Sequence, residues 1–307
     1  MSGLQDGLRS VVYAVVGSTF LLGESFGQPE TPAPRPEVFA PGVVSGEEWT
    51  LYKGAFAPDA MSFYFFRQVS GEGEDYRIYA TERRDGEWGA ARRVRLGEDY
   101  SDMYPAISPD GAHLVFSSYR PLPGSDERAQ NANLWISSRE GEVWGDPRRL
   151  ASLGAPENYD AGPFFGPDGA LYFASTLPDW TTTHFYRAEL ADGRPKGTPE
   201  AIDMTGLAEW RADALHFWNA IPSPRRDIWI AEYSPRNEDG RPGPADLYAV
   251  ERLGEVWGTP QRLAGGVNAP DANDNFATFS PDGADLYFVR EFTDYLRLPL
   301  DAALQRE

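Results

Sequence analysis

A short motif recurs five times along the chain and limits the possible folds more than any other feature of the sequence. Each copy has an apolar pair, a Ser-Pro-Asp-Gly-like turn and then alternating apolar residues, as in AISPDGAHLVFSS from Ala106. Asp-Gly favours a tight hairpin because glycine accepts a positive φ. The motif prolines are Pro58, Pro109, Pro167, Pro224 and Pro281, so successive copies are 51, 58, 57 and 57 residues apart. A period of this size is typical of propeller blades.

A second motif keeps phase with the first and marks the end of each repeat. It occurs as DGEWGAARRV ending at Val94, GEVWGDPRRL ending at Leu150 and GEVWGTPQRL ending at Leu263, and without its tryptophan as DGRPKGTPEAI ending at Ile202. Short segments with alternating apolar residues lie between the two motifs, which is the pattern of strands. Each repeat therefore predicts four strands, a to d. An Asp-Gly hairpin joins strands a and b, and a Gly-Trp-Gly turn joins strands c and d.

The fifth repeat ends after strand c, so its fourth strand has to come from elsewhere. Residues 36–49 (PEVFAPGVVSGEEW) align with the strand-d stretch QRLAGGVNAPDAND that begins at Gln261. Closing the ring with this segment removes exposed sheet edges. The sequence thus predicts an all-β, five-bladed β-propeller of four-stranded antiparallel blades over residues 37–307. The N-terminal strand near Val38 should pair beside the strand at Leu296 in the C-terminal blade.

The first 36 residues differ in composition from the repeats. Residues 11–23 are mostly apolar and follow Arg9, a length and flank typical of a signal-peptide core. We interpret residues 1–27 as a signal peptide or an N-terminal apolar segment, and residues 28–36 (QPETPAPRP) as a Pro-rich tether. Cleavage near Gln28 would make the protein periplasmic or secreted. The alternative is a retained apolar N-terminus.

The repeats resemble a known family. The SPDG-x-LYF-S and G-x-WG-x-P-x-x-L patterns, and the stretch ENYDAGPFFGPDGALYFAS from Glu157, are similar to the TolB-type (WD-like) β-propeller repeat of bacterial envelope proteins. The resemblance extends over residues 36–307 and departs in the fourth blade, where Arg225 and Arg226 replace Asp-Gly. It implies a periplasmic or secreted propeller that acts mainly as a binding scaffold.

Charge and residue usage exclude several kinds of chemistry. The net charge is −19, from 28 basic and 47 acidic residues, so the surface repels nucleic-acid phosphates and anionic lipids. The absence of cysteine rules out disulfides and thiolate chemistry, and the three histidines have no zinc-site spacing. We therefore predict no metal, no cofactor, no nucleic-acid partner and no membrane span in the mature protein, which we expect to be a monomer.

The loops that precede strand a and those that follow strand b share one end of a propeller, which we call the top face. Long irregular loops on a rigid scaffold are common binding sites. Three aspartates occupy the same repeat position there, and the fourth blade instead has the stretch HFWN. The candidate ligand-binding residues at this channel mouth are Asp102, Tyr104, Asp160, His216, Trp218, Asn219, Asp274 and Asn275. The alternative is that the aspartates are structural and bind backbone amides.

Two functions fit this pattern. The first is a non-enzymatic binding or protein-interaction propeller of the cell envelope, with an unknown protein or carbohydrate ligand at the top face of the central channel. The alternative is a glycan-active hydrolase of the five-bladed arabinanase type that uses the channel-mouth carboxylates, with Glu209 as a further candidate. The sequence has no nucleophile elbow, P-loop or dinucleotide fingerprint. Catalysis predicts two carboxyl groups at the mouth, about 5–10 Å apart in a closed-ended pocket and with a raised pKa, whereas an open channel with amide-bonded aspartates favours the binding scaffold.

Overall fold

In the computed structural model, the strands of each repeat form a small antiparallel sheet, and five such sheets are arranged as a five-bladed propeller. The structure describes residues 34–68, 75–180 and 182–305. The predicted signal peptide and the tether up to residue 33 lie outside the described residues. The prediction of an all-β five-bladed propeller is confirmed.

The three inner strands have the same order in every blade. Strand a is Leu51–Phe56, Asp102–Ile107, Tyr159–Phe165, Leu215–Pro222 and Asp274–Phe279 in blades 1 to 5. Strand b is Ser62–Gln68, His113–Ser118, Leu171–Thr176, Ile228–Pro235 and Asp285–Arg290. Strand c is Tyr76–Arg84, Asn133–Glu140, Thr183–Ala188, Asp246–Leu253 and Asp294–Pro299. The fourth blade keeps its a–b hairpin despite Arg225 and Arg226, and the Ser223 N–H donates to the Ile228 carbonyl at 2.8 Å.

The outer strand is short and interrupted. In blades 1, 2 and 4 it consists of two pieces: Glu87–Trp88 and Arg92–Arg93, Val143–Trp144 and Arg148–Arg149, and Val256–Trp257 and Gln261–Arg262. Blade 3 has an additional hairpin of Leu190–Ala191 with Arg194–Pro195, followed by Glu200–Ile202. Two helices, Thr205–Ala208 and Leu300–Ala303, complete the described elements. Neither these helices nor any other described segment forms a helix with the length and apolarity needed to span a membrane.

The ring closes as the sequence predicts. The strand Glu37–Val38 pairs antiparallel with strand c of blade 5, and Val38 is directly opposite Leu296. The next residue extends the contact, because the Phe39 N–H donates to the Tyr295 carbonyl at 2.7 Å. The N-terminal strand therefore supplies the fourth strand of the last blade.

Five apolar clusters lie between neighbouring blades, one at each junction. The alternation of strand b of blade 1 shows how they form. Tyr64 and Phe66 pack toward blade 2, whereas Phe63 and Phe65 pack toward blade 5. Successive side chains of a strand point to opposite faces, and in a propeller each face meets a different blade. This explains why strand b is apolar at consecutive positions.

Every strand a contains one extra residue relative to strand b, which is a β-bulge. In three blades the backbone at the bulge has a positive φ: 52° at Tyr104, 62° at Gly162 and 51° at Phe276. Tyrosine and phenylalanine rarely adopt this conformation. A bulge breaks the ladder and leaves backbone groups without partners in the next strand. In a propeller those groups lie beside the central channel.

Candidate functional site

The three aspartates of the predicted mouth cluster are buried at the start of strand a in their blades, between 0% and 6% exposed. Asp102 accepts hydrogen bonds from the Ser118 hydroxyl at 2.6 Å and from the Arg120 guanidinium at 2.9 Å and 3.0 Å. Arg120 is itself only 4% exposed. Asp102 is therefore one member of a buried ion pair within blade 2.

The other two aspartates are also hydrogen-bonded, but of these two only Asp274 pairs with an arginine among the described residues. Asp160 accepts from the Ser175 hydroxyl at 2.6 Å. Asp274 accepts from Arg290 Nε at 2.7 Å and from the Ala269 N–H at 2.9 Å. These partners come from the same blade or from the loop that enters it. The structural alternative expected backbone amides as the partners, but of these contacts only the Ala269 N–H is one, and the others are hydroxyl and guanidinium groups. The contacts hold each aspartate within its own blade and do not favour a pair of free carboxylates acting on a glycan.

Burial raises the pKa of all three aspartates above the usual range, and the neighbouring arginines and hydroxyls oppose this effect. The effect is best defined for Asp160, whose pKa rises from 3.8 to about 6. The causes are burial first, then the opposing contributions of the Ser175 hydroxyl and the more distant Arg149. Asp160 thus binds its proton more tightly in the folded than in the unfolded protein.

A pH dependence of stability follows from Asp160. A raised pKa in the folded state stabilises the protein fully below the unfolded value of 3.8, and this contribution is lost as the pH rises through about 6. Replacing Asp160 by Asn removes the charge. We expect the difference in the free energy of unfolding between Asp160→Asn and the native protein to change by up to about 3 kcal/mol between pH 4 and pH 8, in favour of the variant at pH 8. Urea unfolding of both proteins at the two pH values measures this difference.

The matched control for this prediction is Asp85→Asn, because Asp85 is an exposed turn residue. The control should follow the native protein at both pH values. If the stability of Asp160→Asn also ran parallel to that of the native protein, the burial argument for Asp160 would be wrong.

The fourth blade presents a different surface at the top face. Trp218, at the bulge of strand a, is 48% exposed, and its indole N–H donates to the Ser234 hydroxyl at 2.8 Å. The His216 ring meets it edge-on, with centroids 4.5 Å apart. Burial lowers the pKa of His216, and the nearby Arg236 adds to the effect. The His216 ring and a half-exposed indole, held by its hydrogen bond to Ser234, are thus in edge-on contact.

The remaining predicted residues are less accessible. Tyr104 packs against Phe66, with ring centroids 4.8 Å apart, and burial followed by the neighbouring Tyr159 raises its pKa. Asn219 is partly buried within strand a of blade 4. Asn275 is 6% exposed, and its side-chain oxygen has no hydrogen-bond partner among the described residues. The ligand-binding role of the eight residues therefore stays a prediction, and Trp218 is the one among them that is exposed and not buried or partly buried.

Two buried charged residues, Lys53 and Glu232, were not among the candidate residues. Lys53, the third residue of strand a in blade 1, is 4% exposed, and its ammonium lies 3.5 Å from the Gly162 carbonyl of blade 3. Glu232, in strand b of blade 4, is 7% exposed and accepts from the Phe276 N–H at the blade 5 bulge at 2.9 Å. Burial lowers the pKa of Lys53 to about 8, against the opposing effect of Glu232.

A cavity of about 440 Å³ lies along the axis at the end opposite the top face. We call it the axial cavity. All five motif prolines line it, as do residues from strand a of every blade. Lys53 is its only charged lining residue among those the structure describes. No cluster of three or more histidine or carboxylate side chains in the described parts of the protein is arranged to hold a metal ion.

Comparison with known proteins supports the fold alone. No family model and no curated protein matches the sequence. A solved BT0996 RGII complex is similar over 88% of this protein and 91% of its own length, with 11% identity and a TM-score of 0.50. The putative TolB from Agrobacterium tumefaciens is similar over 84% of this protein and 78% of its own length, with 19% identity and a TM-score of 0.49.

An oligogalacturonate lyase from Vibrio parahaemolyticus is a third similar structure, with 13% identity and a TM-score of 0.43. The likeness covers 82% of this protein and 66% of the lyase. The similar structures thus include a putative TolB among proteins of mixed function. At these identities they are alike in fold and do not indicate one activity.

Proposed function

We propose that this protein is a non-enzymatic binding propeller of the TolB type in the cell envelope, and that a protein partner contacts its top face through Trp218 and His216. The observation that carries this proposal is the half-exposed indole of Trp218. The corresponding residues in the other blades are the partly buried Tyr52 and Ala161 and the buried Met103 and Asn275. Blade 4 therefore departs from its siblings by exposing a large aromatic side chain at the channel mouth.

The geometry around Trp218 is suited to binding. Its ring orientation is set by the bond to Ser234 and by the His216 ring, so little side-chain freedom is lost when a partner covers it. Trp180, in the b–c loop of the neighbouring blade 3, is 62% exposed on the same face and packs against Tyr159 with centroids 5.0 Å apart. Tryptophans of this kind are enriched among the residues that dominate the energy of protein interfaces.

A non-catalytic role is supported by the state of the carboxylates. Asp102 and Asp274 are each paired with an arginine, so neither is free to act as an acid or a nucleophile. An envelope location is supported by the apolar run in residues 11–23 and by the resemblance of the repeats to envelope propellers.

The proposal is tested by site-specific photo-crosslinking in the native host. A benzophenone group at position 213, where the exposed Asp213 lies in the turn that enters strand a of blade 4, leaves Trp218 in place and should give a discrete crosslinked species in the envelope fraction. The same group at position 256, on a c–d turn of the opposite face where Val256 is 69% exposed, is the control and should give none. With the crosslinked partner purified, Trp218→Ala should weaken binding at least about tenfold, whereas Val256→Ala should not.

Equal crosslinking from both positions, or full affinity of Trp218→Ala for the partner, would contradict the proposal. Binding of an envelope glycan that depends on Trp218, without any protein crosslink, would replace the protein partner by a carbohydrate one.

A further inference from the structure

The axial cavity has one charged side chain, and the rest of its wall combines apolar side chains with a smaller share of polar groups. Four phenylalanines line it, Phe56, Phe164, Phe165 and Phe279, together with alanine, isoleucine and the five motif prolines, and Thr278, Ser280 and two glycines are also among its lining residues. Its volume of about 440 Å³ is within the range of small-molecule sites, which are typically apolar with a few placed polar groups. The cavity reaches the face of the Ser-Pro-Asp-Gly turns, because the prolines of those turns line it. It is thus separate from the proposed top-face site.

Lys53 marks the inner end of this cavity. Strand a runs from the top face toward the Ser-Pro-Asp-Gly turn, and Lys53 precedes Ala55, Phe56 and Pro58, the other lining residues of blade 1. Its ammonium lies over the Phe164 ring, 4.8 Å from the centroid. A ligand that entered from the turn face would therefore meet apolar surface first and the ammonium last.

The ammonium is poorly neutralised within the protein. An ammonium has three N–H donors, and besides its contact with the Phe164 ring the described hydrogen bonding of Lys53 is one long bond of 3.5 Å to the Gly162 carbonyl. Glu232 is the nearby opposite charge, but it forms no ion pair with Lys53 within 4.0 Å. The Glu232 carboxylate is instead held by the Phe276 and Ala277 N–H groups at the bulge of blade 5. Lys53 is thus a buried cation with donors left over.

We propose that the axial cavity binds a small apolar monocarboxylate, whose carboxylate pairs with the Lys53 ammonium while its aryl or alkyl body packs against the phenylalanines. The ligand should be an anion because Lys53, the one charged side chain of the described lining, is a cation. A single negative charge on the ligand is enough because no second cationic side chain is among the described lining residues. A charge-assisted bond in this apolar setting is stronger than a neutral one. Transfer of the ligand's apolar body from water into the cavity also contributes favourable free energy of binding. This inference goes beyond the top-face function and does not depend on it.

The lysine content of the sequence makes a direct test possible. Lys53 and Lys196 are the only two lysines in the sequence. Lys196 is 72% exposed, and its ammonium lies 3.6 Å from Glu189. Protein grown with ¹³C-labelled lysine should therefore give two sets of side-chain NMR signals, one from the channel and one from the surface.

The experiment titrates the labelled full-length protein with 3-phenylpropanoate as the probe. We expect the Lys53 signals to shift saturably, with a dissociation constant of about 1 mM or tighter, while the Lys196 signals stay in place. The matched neutral compound, 3-phenylpropanamide, has the same apolar body and should bind at least about tenfold more weakly. This comparison uses the native protein, so it does not depend on any variant folding.

A variant pair completes the test. Lys53→Met should weaken binding of 3-phenylpropanoate at least about tenfold, and Lys196→Met should bind it like the native protein. The proposal is overturned if the Lys53 signals do not respond to the acid, if the amide binds equally well, or if Lys53→Met folds and retains the affinity. None of these outcomes affects the crosslinking test of the top face.

Discussion

Deleting residues 37–44 is expected to abolish cooperative folding or to lower the free energy of unfolding by at least about 6 kcal/mol. The deletion removes the Val38–Leu296 strand pairing and three buried side chains, Phe39 at 6%, Ala40 at 9% and Val44 at 0% exposure. It also removes the carbonyl that accepts from the Ser45 hydroxyl at 2.9 Å. Because the free energy of unfolding of a domain is typically only about 5–15 kcal/mol, this loss would remove much or all of the stability of the protein. Guanidinium unfolding followed by circular dichroism measures it.

A single residue should reproduce much of this effect. The Phe39 ring meets the rings of Phe63, Trp88 and Tyr287 with centroids 5.0 Å to 5.2 Å apart, so it joins blade 5 to blade 1. We expect Phe39→Ala to cost about 4 kcal/mol. Val38 pairs in the same strand but is 47% exposed, so Val38→Ala is the matched control and should cost less than about 1 kcal/mol. Equal effects of the two variants would mean that the backbone pairing, and not the buried ring, closes the propeller.

The blades and their closure could be predicted because they depend on local, repeated signals. The five Ser-Pro-Asp-Gly-like turns fix the period, and strand alternation fixes which residues are apolar. The register of Val38 against Leu296 followed from the alignment of residues 36–49 with strand d, and the structure confirms it. Each of these features needs information only from one repeat or from the comparison of two.

The contents of the channel could not be predicted in the same way, because they depend on contacts across the ring. When the five repeats are aligned, Lys53 is level with Tyr104, Gly162, Asn219 and Phe276, so the sequence shows a lone cation at this position, although the candidate site did not include it. The sequence did not reveal that its ammonium reaches the Gly162 carbonyl two blades away.

Glu232 carried a similar signal. It occupies a strand-b position where the other blades have Phe66, Ser117, Ala174 and Val289, so a single charge stood among uncharged residues. Its partner is a backbone N–H freed by the blade 5 bulge. That bulge has a positive φ at Phe276, a residue type that gives no sequence sign of it. The sequence therefore did not show which group the Glu232 carboxylate binds.

The mouth aspartates show why recurrence at one repeat position was ambiguous. The sequence left a ligand cluster and structural hydrogen bonding open, since both use the same residue type at the same place. The deciding partners, Arg120 and Arg290, lie at and just beyond the end of strand b. A recurring arginine or serine at that point was the missing signal. Only the pairing of strands a and b brings it beside the aspartate.

Replacing Asp102 by Ala is expected to lower the free energy of unfolding by about 3–5 kcal/mol, because the buried Arg120 would keep its charge without a partner. The two side chains are 8% and 5% exposed, so water cannot replace the lost carboxylate. Breaking the exposed pair of Arg84 and Glu82 by Glu82→Ala is the matched control and should cost less than about 1 kcal/mol. Guanidinium unfolding at constant pH measures both variants.

A compensating variant separates a structural from a ligand-binding Asp102. Asp102→Leu combined with Arg120→Met removes both charges, and we expect it to regain most of the stability that Asp102→Ala loses, since apolar replacements of a buried ion pair are often neutral or stabilising. A carboxylate kept for a ligand would behave in the opposite way. Its removal would leave stability unchanged or higher, because functional groups are commonly retained at the expense of stability. If the unfolding curve of Asp102→Ala were the same as that of the native protein, Asp102 would therefore again be a candidate ligand-binding residue. Catalysis by carboxylates at the channel mouth would then again be a hypothesis to test.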